Sequence, residues 1–274
     1  YGLNLRSLTL FADKTYQSNP KFRPILGGRE QEFSDEEILQ LEKVHQALAI
    51  IQFKLENQLI KRRPEFQMQD HVMLDKIDYW EESVTIDDTK HALVNTCFQT
   101  VNPENPSALT PEENQAVDSM LASFQSSLKM AEHMSLLMNK GSMYKIYNQH
   151  LLFHGCIPLE PSGEFQPFIL NQAHYSGKEL LDFFEYHIRQ AAKNKEVGDD
   201  LSTDLIWYCW KGKLSPLFGK EKMTTLERYF IEDKGTHKEV ENSYFSYRNS
   251  EKVCQLILEE FGLFSQESRM VNGH

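Results

Sequence analysis

The chain has 274 residues, 40% of them hydrophobic and 25% charged, which is ordinary globular composition and enough length for one large domain or two small ones. Its formal net charge of -11 excludes a protein that holds nucleic acid through a basic field, yet leaves room for anionic substrates met by a few local cations or metals. No apolar run approaches the roughly 18–20 residues that span a bilayer, no signal peptide is visible, and Cys97, Cys156, Cys209 and Cys254 form no CxxC pair, so they read as reduced thiols of a cytoplasmic protein.

Residues 1–33 hold a short apolar segment and then a loop marked by Pro20, Pro24, Gly27 and Gly28. "SDEE" at Ser34 to Glu37 is a capping box. Behind it Ile38, Leu41, Val44, Leu48, Ile51, Leu55 and Leu59 recur every three or four residues. This predicts a helix to about Lys61 that buries Leu41, Leu48, Ile51 and Leu55 and exposes Glu42, Lys43 and Lys54. "SVTI", "DDTK" and "HALV" predict a hairpin. A second capping box, Thr110 to Glu113, predicts one helix to a stop at Gly141, with Val117, Met120, Leu121, Phe124, Leu128 and Ala131 on one face. Met120, Met130, Met134 and Met138 read as core filler.

From about residue 141 strands and helices alternate. "MYKIYNQHLLFHG" predicts two strands around Asn148-Gln149, and Ser176 to Glu179 a third capping box for a helix through about Lys193. "DLIWYCW" reads as a buried strand or short buried segment, and "SEKVCQLILEEFG" as a helix capped by Ser250 and stopped by Gly262. "RMV" reads as a short strand leading to a glycine turn and His274.

Two histidines stand at predicted strand ends, His154 in "LLFHGCIP" and His274 in "MVNGH", each beside a glycine that permits close backbone approach. Ligand sites of α/β folds lie beyond strand ends, and neutral imidazole suits manganese, iron, zinc, cobalt or nickel. Taken singly, a histidine after an apolar strand is more often a hydrogen-bonded structural residue, and a terminal one a frayed tail.

"HGCIPLEP", then "DLIWYCW", then "VNGH" resembles the second half of the calcineurin-like metallophosphoesterases. The longer strings "IIQFKLENQLIKRRPEF", "LLFHGCIPL", "GKELLDFFE" and "SPLFGKEKMTTLERYFI" narrow the resemblance to the bacterial class III fructose-1,6-bisphosphatases, over the whole chain. That resemblance implies an α+β fold, the C-terminal part of an α/β-like layered sandwich. It divides the chain into the end of the N-terminal half (1–33), a mainly helical insertion with a hairpin (34–140) and the C-terminal half (141–274). It implies a dinuclear site supplied with manganese, with His154 and His274 as metal ligands, that hydrolyses the 1-phosphate of a sugar bisphosphate in gluconeogenesis. Lys220, Lys222, Arg62 and Arg63 are candidates for phosphate contact, against the plain alternative of solvated surface charge. His237 in "THKE" has no assigned role.

The family's first-half motifs, Asp-x-His, Gly-Asp-x-x-Asp-Arg and Gly-Asn-His-Asp/Glu, are missing from the sequence. The expectation is therefore a fragment whose catalytic residues lie upstream of Tyr1 and which is inactive alone. No nucleic-acid or membrane partner is expected, and a homo-oligomer is compatible with the reading. The alternatives are another metallophosphoesterase, such as a protein phosphatase, and a non-catalytic helical interaction module with exposed apolar faces.

Overall fold

A computed structural model of the chain describes residues 1–194 and 200–273. In chain order the elements begin with α1 (Arg6–Thr15), α2 (Asp35–Arg62), β1 (Ile77–Asp78), β2 (Ser83–Ile86), β3 (Thr89–Ala92), α3 (Pro111–Ser126) and α4 (Leu128–Lys140). There follow β4 (Tyr144–Tyr147), β5 (His150–His154), β6 (Phe168–Leu170), β7 (Ala173–Tyr175), α5 (Gly177–Lys193) and α6 (Leu201–Lys211). Last come α7 (Thr225–Phe230), α8 (Tyr244–Tyr247), α9 (Glu251–Glu260) and β8 (Met270–Gly273). The architecture is mixed α and β with small sheets. Among the described residues no helix is long and apolar enough to cross a membrane, and all four cysteines are free thiols. Two compact units form: residues 1–62, 69–134 and 224–238, and residues 63–68, 135–223 and 239–274. The first unit holds both α1 and α2.

In the first unit the Ser34 capping box is present: the Ser34 N–H donates to Glu37 Oε2 (2.7 Å) and the Glu37 N–H to Ser34 Oγ (3.2 Å). The helix it starts is turned differently from the expected stripe. Ala47, Ile50, Ile51 and Phe53 pack with Leu8, Phe11 and Ala12 of α1 in one buried cluster, whereas Leu48 is 38% and Leu55 37% exposed. Leu41 is half-buried, and Glu42 and Lys54, expected outside, are inside. Partners permit this. Lys54 Nζ donates to Glu113 Oε2 and to the Thr100 carbonyl, each at 2.7 Å, and Glu42 meets Arg23 at 2.8 Å. A buried charge is tolerable when paired and hydrogen-bonded, so the denser Ala-Ile-Phe face takes the core.

β1, β2 and β3 form the antiparallel hairpin sheet, turned at Asp87 (φ 48°) and Asp88 (φ 60°). The Thr110–Glu113 capping box is present. The single helix expected behind it is two, because the chain extends at Ser127 (ψ 107°) between α3 and α4. The face proposed for this segment is a core face only at its start: Val117 and Met120 are half-buried and pack against the buried cluster, whereas Leu121, Phe124 and Leu128 are exposed, α4 has no buried residue, and Met130, Met134 and Met138 are not buried.

The second unit holds β4, β5 and β8 in one sheet and β6 and β7 as a hairpin. Both hairpins turn on the same dipeptide, Asn148-Gln149 (φ 47°, 62°) and Asn171-Gln172 (φ 48°, 69°), a left-handed pair suited to a two-residue turn. α5 begins after Ser176 as expected, yet that side chain makes no capping hydrogen bond. "DLIWYCW" lies in α6 and is not a strand. Asp200 caps it by accepting from the Ser202 and Thr203 N–H groups, and Leu205, Tyr208 and Cys209 are buried at helical spacing. Phe184 of α5 stacks on Tyr208 at 6.0 Å. α9 ends as expected, with Gly262 at φ +75° and the Leu263 N–H returning to the Leu258 carbonyl at 2.9 Å.

Candidate functional site

The alternation of "HLLFH" buries Leu151 and Phe153 and leaves His154 exposed at the strand's end. β8 lies beside it in parallel, with Leu152 opposite Val271 and His154 opposite Gly273. The strand that precedes His274 thus shares a sheet with the strand that ends on His154. Asn272 and Gly273 continue this strand and do not make the expected turn. His274 itself lies outside the described residues.

Gly155 explains the sharp exit from β5. Its φ is +78°, and a Cβ there would stand 2.1 Å from the Pro216 carbonyl oxygen, closer than any real side chain allows. The Gly155 N–H donates to the Gly273 carbonyl (2.7 Å) and the Cys156 N–H to the Pro216 carbonyl (2.8 Å). Asn272 Nδ2 donates to the Gly155 carbonyl at 3.0 Å. At Gly219 an added Cβ would meet Phe245 at 2.9 Å and Cys156 Sγ at 3.3 Å. Two strings that are distant in sequence, "FHGCIP" and "SPLFGK", are therefore locked together at the strand ends. Burial pushes the Cys156 thiol up to about 12, so this cysteine packs as an inert neutral group.

The candidate phosphate contacts divide. Lys220, on the loop locked to the strand end, gives Nζ to Glu239 Oε2 at 2.8 Å, so an incoming anion would compete with that carboxylate. Lys222, two residues on, is half-buried. Arg63 is engaged elsewhere in the same unit: its Nε donates to Asp204 Oδ2 at 2.7 Å, where Asp204 is buried in α6. Arg62 is exposed in the last turn of α2, in the other unit. His237 Nε2 donates to the Ile231 carbonyl at 2.9 Å, and its own carbonyl accepts from Thr224 Oγ1 at 3.1 Å, so it ties a local turn.

Sequence reading missed Pro216, whose carbonyl shapes the exit of β5, and Asn242, whose Oδ1 accepts from the Leu159 and Tyr244 N–H groups, each at 3.0 Å. Neither carries a sequence signal beyond a loop proline and a loop asparagine. Among the described residues no three His, Cys, Asp or Glu side chains gather closely enough to hold a metal ion. The described residues thus do not by themselves make the dinuclear centre that the resemblance implies.

The family described as "Firmicute fructose-1,6-bisphosphatase" matches residues 1–274. "Fructose-1,6-bisphosphatase class 3" of Streptococcus sanguinis is 97% identical over 274 residues, which are 100% of this chain and 43% of the relative. The proteins of the same description from Streptococcus gordonii and Oceanobacillus iheyensis are 84% and 48% identical, again over 100% of this chain and over 43% and 42% of their own lengths. The chain spans less than half the length of these curated relatives. No solved structure matches.

Proposed function

The chain belongs to the Firmicute fructose-1,6-bisphosphatase family, and from that premise we propose that it takes part in hydrolysis of the 1-phosphate of fructose-1,6-bisphosphate. The products are fructose 6-phosphate and phosphate, the setting is gluconeogenesis in the cytoplasm, and the ion is manganese. In this reading residues 34–140 are a mainly helical insertion, and 141–274 are the second half of a metallophosphoesterase sandwich.

The observation that supports it most is the parallel pairing of β5 with β8, which sets His154 opposite Gly273 at the carboxyl ends of two adjacent strands. Exposed side chains in that position converge on a ligand held beyond the sheet. His154 serves there as a ligand, and Gly155 and Pro216 hold its strand end. Lys220 exchanges Glu239 for a substrate phosphate oxygen, and Lys222 is its neighbour in the same role. Arg63 is a weaker candidate in this reading because its guanidinium is already committed to Asp204. The other ligands of a dinuclear centre, with His274, come from outside the described residues. In two-metal phosphoester hydrolysis the pair of ions supplies the nucleophile and stabilises the leaving oxygen.

The test uses the Streptococcus sanguinis relative with its matching 274 residues replaced by this chain. Phosphate release is measured with manganese on fructose-1,6-bisphosphate and on a phosphoserine peptide. The proposal expects turnover of the sugar bisphosphate; preference for the peptide would favour a protein phosphatase instead. Residues 1–274 alone are expected to show no useful rate with excess manganese. Manganese-dependent turnover by the isolated chain, lost in His154→Ala, would place the whole centre within these residues.

A further inference from the structure

Asn242 is buried, and each of its polar atoms is engaged. Its N–H donates to the Gly219 carbonyl at 2.9 Å, and its own carbonyl accepts from the Phe245 N–H at 3.1 Å. Its Oδ1 accepts from the Leu159 and Tyr244 N–H groups, each at 3.0 Å, and its Nδ2 donates to Gln166 Oε1 at 3.1 Å. We propose that Asn242 is a positioning residue for the bisphosphatase reaction: it sets Lys220 against the segment that leaves β5 and so fixes how well a substrate phosphate is held. This inference rests on the catalytic reading above.

The partners of Asn242 lie on three stretches of chain. Leu159 and Gln166 belong to the segment that leaves β5, and that segment is closed on itself: the Glu160 N–H donates to the Glu164 carbonyl at 2.8 Å and the Gln166 N–H to the Pro158 carbonyl at 3.0 Å. The Asn242 side chain thus meets a formed loop. Gly219 immediately precedes Lys220. Two bonds of 2.9 Å flank that lysine, from the Asn242 N–H to the Gly219 carbonyl and from the Glu221 N–H to the Val240 carbonyl, and Lys220 pairs with Glu241 in an antiparallel bridge. Lys220 Nζ meets Glu239 Oε2, on the same short ribbon, at 2.8 Å. Without the Asn242 side chain this ribbon would keep its own ladder and lose its bonds to Leu159 and Gln166.

The position calls for an amide. One oxygen takes two N–H groups while the nitrogen of the same planar group donates to a third residue, a combination that serine and ionised aspartate lack. A buried polar group with all its partners specifies one arrangement of the segments it joins. Displacing a cation that contacts phosphate weakens substrate and transition state alike, which raises KM and leaves kcat nearly unchanged. A merely structural role would instead lower the folded fraction, and with it kcat, at constant KM.

The test is a double-mutant cycle in the Streptococcus sanguinis relative carrying this chain as its matching segment, with KM and kcat measured on fructose-1,6-bisphosphate with manganese. Lys220→Ala and Asn242→Ala are each expected to raise KM at least about 10-fold and to leave kcat within about 3-fold of the parent. The double variant should match Lys220→Ala alone, because Asn242 acts through that lysine. An unchanged KM in Asn242→Ala, a loss of kcat at constant KM, or KM increases that multiply in the double variant each overturn the proposal. Asn242→Ser keeps a hydroxyl for the nearby Tyr244 N–H and cuts the bonds to Leu159 and Gln166, so it should repeat the KM effect, and it decides the matter where Asn242→Ala does not fold. No turnover by the unsubstituted protein would remove the catalytic reading and this inference with it, whereas turnover with an unmoved KM in Asn242→Ser overturns this inference alone.

Discussion

His154 and Gly273 face one another across two parallel strands, and the N–H of the next residue, Gly155, donates to the Gly273 carbonyl at 2.7 Å. One hydrogen bond thus ties the exit of β5 to the end of β8, at the carboxyl ends of both strands.

The exit depends on Gly155. Gly155→Ala places a methyl 2.1 Å from the Pro216 oxygen at φ +78°, combining overpacking with backbone strain. The expected loss is about 2–5 kcal/mol in urea unfolding. Gly262→Ala is the control, since φ is +75° there but nothing stands within 4 Å of an added Cβ, and it should cost about 1 kcal/mol. Equal losses at the two sites would show that Pro216 does not press on the strand exit.

The rotation of α2 gives a paired prediction. Ile51 is buried and Leu48 is 38% exposed, so Ile51→Ala should cost about 2–5 kcal/mol and Leu48→Ala about 0.5 kcal/mol or less. The reverse order would restore the leucine stripe as the core face.

The Lys54–Glu113 pair is completely buried, at 2.7 Å. Lys54→Met leaves Glu113 buried without its cation and should cost about 3–5 kcal/mol. Lys54→Met with Glu113→Leu should recover most of that loss, because no charge remains to be desolvated. A double variant as weak as the single one would mean that the Thr110 cap, which Glu113 completes, is the larger contribution.

These particular residues show what the sequence made legible. The Ser34 and Thr110 boxes, the Asn148-Gln149 turn and the Gly262 stop were readable because each is local chemistry within a few residues. Two apolar strands that each lead to a histidine pointed to one shared sheet, but the parallel sense of the β5–β8 pairing has no signal in the sequence. What failed were choices between faces. α2 is apolar on more than one side, and nothing local says that Glu42 and Lys54 have partners at Arg23 and Glu113, 19 and 59 residues away. "DLIWYCW" is too short and too uniformly apolar for its period to separate strand from helix. The β6–β7 hairpin was missed although it repeats the Asn-Gln turn of the hairpin before it. At the site, His154 was legible from its strand and glycine, while Pro216 was not, because its effect acts through a carbonyl distant in sequence.

Acid should weaken the second unit through His187. Burial, partly opposed by Asp200, holds the His187 imidazole below its ordinary 6.5, and its Nδ1 is 2.8 Å from Ser202 Oγ. The unfolded chain therefore binds this proton more readily than the folded one. The His187 contribution is complete above pH 6.5 and is lost as pH falls through the lower folded value. Stability measured by urea midpoint should decline over that window and decline less in His187→Gln; identical pH profiles would remove His187 as the cause.

The central claim is that the rim beyond β5 and β8 holds the reacting phosphate. Its most direct test is manganese-dependent phosphate release from fructose-1,6-bisphosphate by the Streptococcus sanguinis relative carrying this chain as its matching segment, with and without His154→Ala. On the proposed assignment of His154 as a metal ligand, His154→Ala should lower turnover by at least about 100-fold while the unfolding free energy stays within about 1 kcal/mol of the parent, since His154 is an exposed side chain. Turnover unchanged in His154→Ala would contradict the account and move the reaction away from this pair of strands.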